Sequence, residues 1–402
     1  MDRREFLTGS LCLFAAPLVN AGRCRLFASE TRKYSTRAID LVREANVIDM
    51  LSLPTLDWAL LNRWHCEAGA FTAADFDKLQ RSGINVFHPA VAFDSPSYDK
   101  TRNWFASWNR FIAQNPERFI RVDSFADLTR AKQESKIGLV LGMQDANHLR
   151  SLDDVDAFYK MGQRLTQLTY NSSNLLGDGC KVPRDTGLTD FGQQVVTRMN
   201  AVGMAIDVSH SGQRTSLDAI AASKKPVLIT HSNCRALAPG VARCKPDEVI
   251  QAAARKGGVF GITSVRRFVR VDDPVTVKDV LNHFDHAVKL AGVEHVGLGS
   301  DFDLDAHPTY DVPGLNHPTR VYQLTEGLIA RGYSDEQIRL ILGGNFQRAL
   351  QEIWGSAEPA ATRLDALPPD LLSPPFVLES NWLPISLEGP PVSSSPEGWP
   401  FR

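Results

Sequence analysis

The sequence predicts an α/β fold, specifically a TIM-like (β/α)8 barrel followed by a Pro-rich C-terminal extension. Short apolar runs recur between residues 46 and 303, segments with helical spacing separate them, and polar residues stand at the ends of several runs. Eight strand and helix alternations over about 310 residues are typical of a closed parallel barrel. An open doubly wound sheet has the same periodicity and is the alternative.

The predicted strands are short and largely apolar, as strands buried on both faces of a parallel sheet are. In chain order they are NVIDM (46–50), INVFH (84–88), IGLVLGM (137–143), RLTQLTY (164–170), MAIDVSH (204–210), PVLITH (226–231), GVFGITSV (258–265) and HVGLGSDFD (295–303). Among the helices, one begins at Asp190 and is closed by Gly203, and another begins at Asp335 and ends near Trp354. We therefore place the barrel at residues 36–355.

Composition indicates the kind of partner to expect. A net charge of −2, with 22% charged and 43% hydrophobic residues, describes a globular chain able to bury a large core. The 44 basic and 46 acidic residues nearly balance, which gives no electrostatic reason to expect binding to nucleic acid or to an anionic membrane. We expect a small-molecule substrate and no membrane span in the mature protein.

The N-terminal residues 1–28 are predicted to be an export signal of the twin-arginine type. Arg3 and Arg4 precede a mildly apolar stretch, residues 9–18, that is too short to span a bilayer comfortably. Residues 19–21, Val-Asn-Ala, resemble a small-residue cleavage site. The prediction is a periplasmic or extracellular protein; an uncleaved anchor or a chance arginine pair is the alternative.

Residues 356–402 are rich in proline and serine and predict either an irregular strap lying on the barrel or a partly mobile tail. Trp382, Trp399 and Phe401 favour the strap, because disordered tails seldom carry so many aromatic residues.

The sequence does not determine whether its six cysteines form disulfides, because none has zinc-finger or CxxC spacing. Export would permit a disulfide, and Cys234 could pair with Cys244, or Cys66 with Cys180. Since Cys12 lies in the predicted signal, five cysteines remain and at least one thiol stays free.

His210 and His231 each end an apolar run, and a helical pattern between them predicts a crossover to a neighbouring parallel strand. Polar residues at the C-terminal ends of such strands face the same crevice, so the two imidazoles would be adjacent and could share one metal ion. Two pocket histidines that only form hydrogen bonds are the alternative.

Four motifs in order resemble those of the membrane dipeptidase, or renal dipeptidase, family of zinc peptidases. They are GLTDFGQQVVTRMNAVGMAIDVSHSG (187–212), PVLITHSNCRALAPGVARCKPDEVI (226–250), GVEHVGLGSDFD (292–303) and LGGNFQRAL (342–350). The resemblance covers about residues 40–355. It implies a metal-dependent barrel of the amidohydrolase type that cleaves dipeptides, and it also implies a homodimer.

The resemblance assigns roles to five residues. His210 and His231 match the histidines that hold the second zinc of a two-zinc site, and Asp301 matches the catalytic carboxylate beside the metal-bound water. Arg243 matches the arginine that meets the substrate carboxylate, with an exposed loop arginine as the alternative. Tyr170 stands where many members have a histidine that polarises the scissile carbonyl, and its hydroxyl can still donate a hydrogen bond.

The sequence departs from the family pattern at the first zinc. Family members have Asp-Gly-His-x-Asp at the first strand, whereas this chain has leucine at both ligand positions, Leu51 and Leu53. The bridging glutamate aligns with Gln144. Two dications close together need a bridging anion, so a two-zinc site is not expected. His65 and His88 are the candidates for displaced ligands, and for both we favour a structural role.

These observations predict an exported dipeptidase-like metallohydrolase with one metal ion, held by His210 and His231 with Asp301 as a third ligand. The ion is zinc by resemblance, with another divalent metal or none as alternatives. Asp207 is predicted to brace a histidine, together with Asp303.

If Asp301 binds the metal, Asp145 would be a substitute base, although we favour a solvated loop carboxylate. Two other functions stay open. One is a binding or regulatory protein that has lost catalysis, and the other is hydrolysis of another small amide, ester or lactone.

Overall fold

The structure is a computed structural model that describes residues 33–95 and 97–355, the backbone of residues 23–25, and Leu364 and Leu367. Its strands are β1 Arg23–Arg25, β2 Lys33–Ser35, β3 Ile48–Asp49, β4 Val86–Phe87, β5 Phe119–Arg121, β6 Ile137–Leu139, β7 Gly142–Met143, β8 Leu165–Gln167, β9 Ala205–Asp207, β10 Val227–Ser232, β11 Phe260–Ile262 and β12 Val296–Leu298. Strands β1 and β2 pair antiparallel, apart from the other ten.

Helices connect the strands of the large sheet and surround it. They are α1 Thr36–Glu44, α2 Trp58–Cys66, α3 Ala73–Arg81, α4 Tyr98–Gln114, α5 Phe125–Gln133, α6 Leu152–Lys160, α7 Asp190–Val202, α8 Gln213–Ala222, α9 Asp247–Arg255, α10 Arg266–Val269, α11 Val277–Ala291, α12 Arg320–Ala330, α13 Asp335–Arg339 and α14 Asn345–Trp354. A 3-10 turn, Val293–His295, precedes β12, and a π-helical turn, Leu340–Gly344, joins α13 to α14.

Ten strands form one parallel sheet in the order β5-β6-β4-β3-β12-β11-β10-β9-β8-β7. Strands β6 and β7 are two parts of one continuous segment, residues 137–143, and this segment closes the sheet into a barrel. Val86 of β4 aligns with Gly138 of β6, while Gly142 of β7 aligns with Leu165 of β8. The predicted barrel is therefore confirmed, and the open sheet is not the fold.

All eight predicted strands are present, and all except β10 are shorter than the apolar runs, because the C-terminal residues of those seven runs turn into the loops above the barrel. The sequence analysis missed β5, which lies beside β6 outside the eight-stranded ring with Phe119 aligned to Ile137. Its run is only three residues long, so it carries little period-2 signal.

Helix α14 covers the N-terminal end of the barrel. Its Phe346, Leu350 and Ile353 belong to one buried cluster with the first residues of several strands, including Ile48 and Val86. This leaves the C-terminal ends of the strands as the open end, where sites in such barrels lie.

The two predicted helix boundaries are confirmed in part. Helix α7 begins at Asp190, and Gly203 ends it at a φ of 84°, a left-handed conformation that glycine adopts without penalty. The predicted helix from Asp335 to Trp354 is interrupted by the π-helical turn, in which Gly343 has a non-helical backbone conformation. Only glycine fits there, because a Cβ atom at this position would lie 1.9 Å from the Asn46 carbonyl oxygen.

The predictions for residues 1–28 and 356–402 lie almost wholly outside the described residues. Leu367 is buried, and Leu364 packs against the main core. No helix among the described residues has the length and apolar character needed to cross a membrane.

Neither suggested disulfide is present. Cys66, Cys180, Cys234 and Cys244 are free thiols. The sulfur atoms of the buried pair contact different groups, since Cys234 donates to the carbonyl of His283 and Cys244 to that of Phe268.

Candidate active site

A pocket opens among the loops that follow the C-terminal ends of the strands, with about 800 Å³ of space that is partly open to solvent. The polar side chains among its described lining residues are Ser52, Gln144, Tyr170, His210, Arg267, Asp301 and Tyr310. The remaining described lining residues are apolar or aromatic, including both leucines at the predicted metal-ligand positions.

The predicted histidine pair is formed. Helix α8 returns the chain from β9 to the adjacent parallel strand β10, with Val227 aligned to Ile206. As a result the Nε2 atoms of His210 and His231 lie 3.1 Å apart. Both residues are buried, and His210 lines the pocket.

The hydrogen bonds made by the Nδ1 atoms determine whether each Nε2 atom carries a proton or a lone pair. Nδ1 of His210 lies 2.9 Å from Oδ1 of Asn171, an acceptor, so this nitrogen holds the ring proton. Nδ1 of His231 lies 2.8 Å from Oγ1 of Thr230, which itself donates to Asp207. Thr230 thus accepts from His231, and both Nε2 atoms present lone pairs to each other.

Neither imidazole readily takes up a proton to relieve this contact. Burial holds the pKa of both His210 and His231 well below the usual value, and the nearby Arg243 lowers each further. Two lone pairs that face each other in a buried site are stabilised when a cation lies between them.

The pair fits a single metal ion. Two nitrogens bound to one tetrahedral zinc at about 2.0–2.1 Å are about 3.3 Å apart, close to the observed separation. Asp207 supports His231 through Thr230, as predicted, and its other oxygen accepts from Ser209. However, no three histidine, cysteine, aspartate or glutamate side chains in the described part of the chain form a metal-binding group. The predicted third ligand, Asp301, therefore does not complete a three-residue set.

The residues present do not fit a second ion. Leu51 and Leu53 line the pocket with 2% and 5% of their surface exposed, and hydrocarbon cannot bind a metal. Gln144 is neutral, and its Nε2 donates to the Ala90 carbonyl at 3.0 Å. The departures read from the sequence thus lie together at the wall of the same pocket.

Asp301 lies where predicted, directly beyond β12, and lines the pocket. Its φ of 66° is in the left-handed region, which asparagine and aspartate tolerate better than most residues. Its backbone N–H donates to the Leu51 carbonyl at 2.9 Å, which joins this residue to the first strand's loop. Burial raises the pKa of the Asp301 carboxyl to about 7, Asp49 raises it further, and Arg243 opposes the shift.

Tyr170 lines the pocket and stacks on His210, with 4.1 Å between ring centroids. Burial and the nearby Asp301 raise the pKa of its phenol, so the hydroxyl keeps its proton. A hydrogen-bond donor is therefore present where the family resemblance implies one.

Arg243 is buried and is not among the described residues that line the pocket. Its two terminal nitrogens donate to the carbonyls of Ser209 and His231, each at 2.6 Å, which joins the ends of β9 and β10. The guanidinium lies 5.5 Å from the ring of Phe268, a pocket-lining residue, and is absent from the described lining residues. It is not the exposed loop arginine of the alternative.

Other predicted residues have structural positions. Asp145 is 7% exposed and accepts from Asn174, so it is not the solvated loop carboxylate that we favoured, nor does it line the pocket. Asp303 braces no histidine of the pair; it accepts from the Leu56 backbone N–H at 2.6 Å and holds a loop over the pocket.

Both candidates for displaced ligands are buried away from the pocket lining, as we favoured. His88 bonds to the Val140 carbonyl at 2.7 Å. His65 lies on α2 and packs edge-on against Trp108.

Sequence reasoning missed Lys245, Thr230 and Asn171. Lys245 is buried and donates to the Ser211 carbonyl at 2.5 Å, and burial lowers its pKa to about 7. Thr230 could have been found, because it directly precedes His231. Asn171 follows Tyr170, but its contact with His210 spans 39 positions and leaves no local signal.

A closed parallel barrel with a histidine pair at the C-terminal ends of its strands is an amidohydrolase-like α/β fold. More specifically, the model of the membrane dipeptidase family, peptidase family M19, matches residues 35–363. The chain belongs to this family, whose members are zinc metallopeptidases.

Individual relatives agree with this assignment. Dipeptidase verJ of Clonostachys rogersoniana is 32% identical over 224 residues, which cover 55% of this chain and 56% of that protein, little more than half of its length. An amidohydrolase from Pseudomonas aeruginosa superposes with a TM-score of 0.70 at 27% identity, covering 79% of this chain and 99% of the other. The probable dipeptidase PvdM from the same organism has a TM-score of 0.70 at 22% identity, covers 79% and 97% of the two chains, and supports the fold alone.

Proposed function

We propose that this protein is an exported hydrolase that cleaves dipeptides or similar small amides and binds one divalent metal ion at His210 and His231. One observation carries the proposal: the Nε2 atoms of the two histidines lie 3.1 Å apart, each with its partner nitrogen bonded to an oxygen. Membership of a zinc peptidase family and the resemblance to a protein named as a dipeptidase support the choice of metal and substrate.

The side chains around the pair suit amide hydrolysis. A metal ion held by His210 and His231 would supply a water of lowered pKa as the nucleophile. Tyr170 donates a hydrogen bond to the oxygen of the scissile carbonyl, because its phenol stays protonated. Asp301, whose pKa is about 7, takes up a proton at its carboxylate and returns it to the leaving amine.

The proposal has a direct test in zinc-loaded protein assayed against a dipeptide panel. We expect hydrolysis by the parent and its loss, by at least about a hundredfold, in His210→Ala. His286→Ala is the matched control, because His286 pairs with Asp247 outside the pocket. Equal loss in both variants, or unchanged hydrolysis in His210→Ala, would contradict the assignment.

Export and assembly belong to the same proposal. Arg3, Arg4 and the apolar stretch that follows support export, and the family resemblance supports a homodimer. N-terminal sequencing of protein from the periplasmic fraction tests export and cleavage, and light scattering tests the homodimer. An intact Met1 in that fraction would contradict cleavage, and the mass of one chain would contradict the dimer.

A second candidate is a binding protein of the same fold without catalysis. It is favoured by one finding, that the described residues contain no three-residue metal-binding group. The hydrolysis assay separates the two, because a binding protein would bind dipeptides without cleaving them at any zinc concentration.

A further inference from the structure

The pocket must hold a charged, zwitterionic molecule if it binds a dipeptide, and Arg243 is poorly placed to meet the carboxylate. Both of its terminal nitrogens are engaged by main-chain carbonyls at 2.6 Å, and only 4% of the residue is exposed. Phe268, which lines the pocket, stacks against its guanidinium. Arg243 is therefore a positioning residue for the two strand ends.

Arg267 is the only cationic side chain among the described residues that line the pocket. It lies in the first turn of α10, the short helix that follows β11, and is half-buried. Its Nη1 donates to the Val271 carbonyl at 3.1 Å, so its side chain is held in place by its own loop. A guanidinium has five N–H donors in a planar fork, a geometry that matches a carboxylate.

Part of the pocket lining is unusually apolar for a site that binds a charged substrate. Leu51, Leu53, Trp58 and Phe302 line it, and each has 7% or less of its surface exposed. Leu51 and Leu53 occupy positions where the family has metal ligands, so the change that removed a charged site also created hydrocarbon surface. Contact with an apolar ligand group is favourable at such a wall.

We propose that Arg267 binds the substrate's carboxylate and that the wall formed by Leu51, Leu53, Trp58 and Phe302 selects a large apolar side chain in the substrate. The substrate class is then a dipeptide-like molecule that combines a free carboxylate with an aromatic or branched aliphatic group. The inference rests on the proposed function, because it takes the pocket to be the dipeptide site.

The test is a binding experiment by isothermal titration calorimetry on the full-length protein in chelator, where metal-dependent turnover does not occur. The ligands are alanyl-phenylalanine, its C-terminal amide and alanyl-alanine. We expect the parent to bind the phenylalanine acid about tenfold more tightly than the amide and about tenfold more tightly than alanyl-alanine.

Two variants separate the parts of the inference. Arg267→Gln should lose the preference for acid over amide and keep the preference for phenylalanine over alanine. Leu53→Asn, which is close in volume, should lose the preference for phenylalanine and keep the preference for the acid. Arg270→Gln is the matched control, because Arg270 is exposed three positions further on, and it should behave as the parent does.

The inference is overturned if Arg267→Gln keeps the preference for the acid over the amide. It is also overturned if Arg243→Gln loses that preference while its melting temperature shows that it is folded. Absence of binding to all three ligands also overturns it. Because hydrolysis is not measured, a protein that binds with these preferences but never cleaves a dipeptide would contradict the proposed function alone.

Discussion

Thr230 determines the protonation of His231, because its hydroxyl donates to Asp207 and so must accept from the imidazole. A ring proton fixed at Nδ1 leaves the Nε2 lone pair free for a metal ion. Supporting residues of this kind commonly change metal affinity by about 10–100-fold. In the same way, Oδ1 of Asn171 accepts from Nδ1 of His210 and leaves the Nε2 lone pair of His210 free.

Thr230→Val tests this relay, since valine keeps the shape and removes the hydroxyl. We expect zinc affinity to fall by about 10–100-fold, and stability to fall by about 1–3 kcal/mol because Asp207 loses a buried donor. Competition with a zinc-binding dye measures the first and urea unfolding the second. Thr263→Val is the control, since Thr263 is equally buried but donates to Ser300; equal loss of zinc affinity in both would argue against the relay.

Asp301 gives a prediction about pH. Its pKa is raised from 3.8 to about 7 in the folded protein, so the folded state binds this proton more tightly than the unfolded chain. The stability contributed by this group is therefore present at low pH and lost as the pH rises through about 7. Asp301→Asn should flatten the fall in melting temperature between pH 5 and pH 8 in chelator. Asparagine tolerates the left-handed backbone, so the fold is kept; parallel pH profiles would contradict the assignment.

At the scale of the elements, the close approach of β10 and the end of β12 positions His231. Gly299 directly follows β12, and a Cβ atom there would lie 1.8 Å from the carbonyl oxygen of Thr230 and 3.0 Å from the Cα atom of His231. The absence of a side chain lets the two segments lie against each other. Arg243 adds a second constraint by joining the ends of β9 and β10.

Gly299→Ala should therefore destabilise the protein and weaken metal binding together. Overpacking of this kind costs about 1–3 kcal/mol, measured by urea unfolding. Gly344→Ala is the control, because a Cβ there would lie 3.3 Å from its nearest neighbours and would displace them by only a few tenths of an ångström. A Gly299→Ala protein with the stability and zinc affinity of the parent would show that the two segments do not constrain each other.

At the scale of the whole molecule, the barrel could be predicted because strands buried on both faces read as apolar runs. The same runs predicted where the site lies, because His210, His231 and Asp301 stand at their C-terminal ends. What the sequence alone did not predict depends on contacts between distant segments. The last helix is interrupted at Gly343, which lies against the Asn46 carbonyl, a contact that no local pattern encodes.

The sequence also did not predict the direction in which buried polar side chains point. Motif position assigned Arg243 to the substrate, yet its guanidinium is directed at two strand carbonyls. Asp145 was expected in solvent and is buried against Asn174. In both cases the deciding partners are remote in sequence.

The central claim is that His210 and His231 hold one ion and that the second site is lost. The most direct measurement is zinc content per chain after loading and desalting, for the parent, for His210→Ala, and for Leu51→His, Leu53→Asp and Gln144→Glu combined. We expect about one ion in the parent, about none in His210→Ala and about two in the triple variant, because the triple variant restores two ligands and a bridging anion. Two ions or none in the parent, or no gain in the triple variant, would contradict the account.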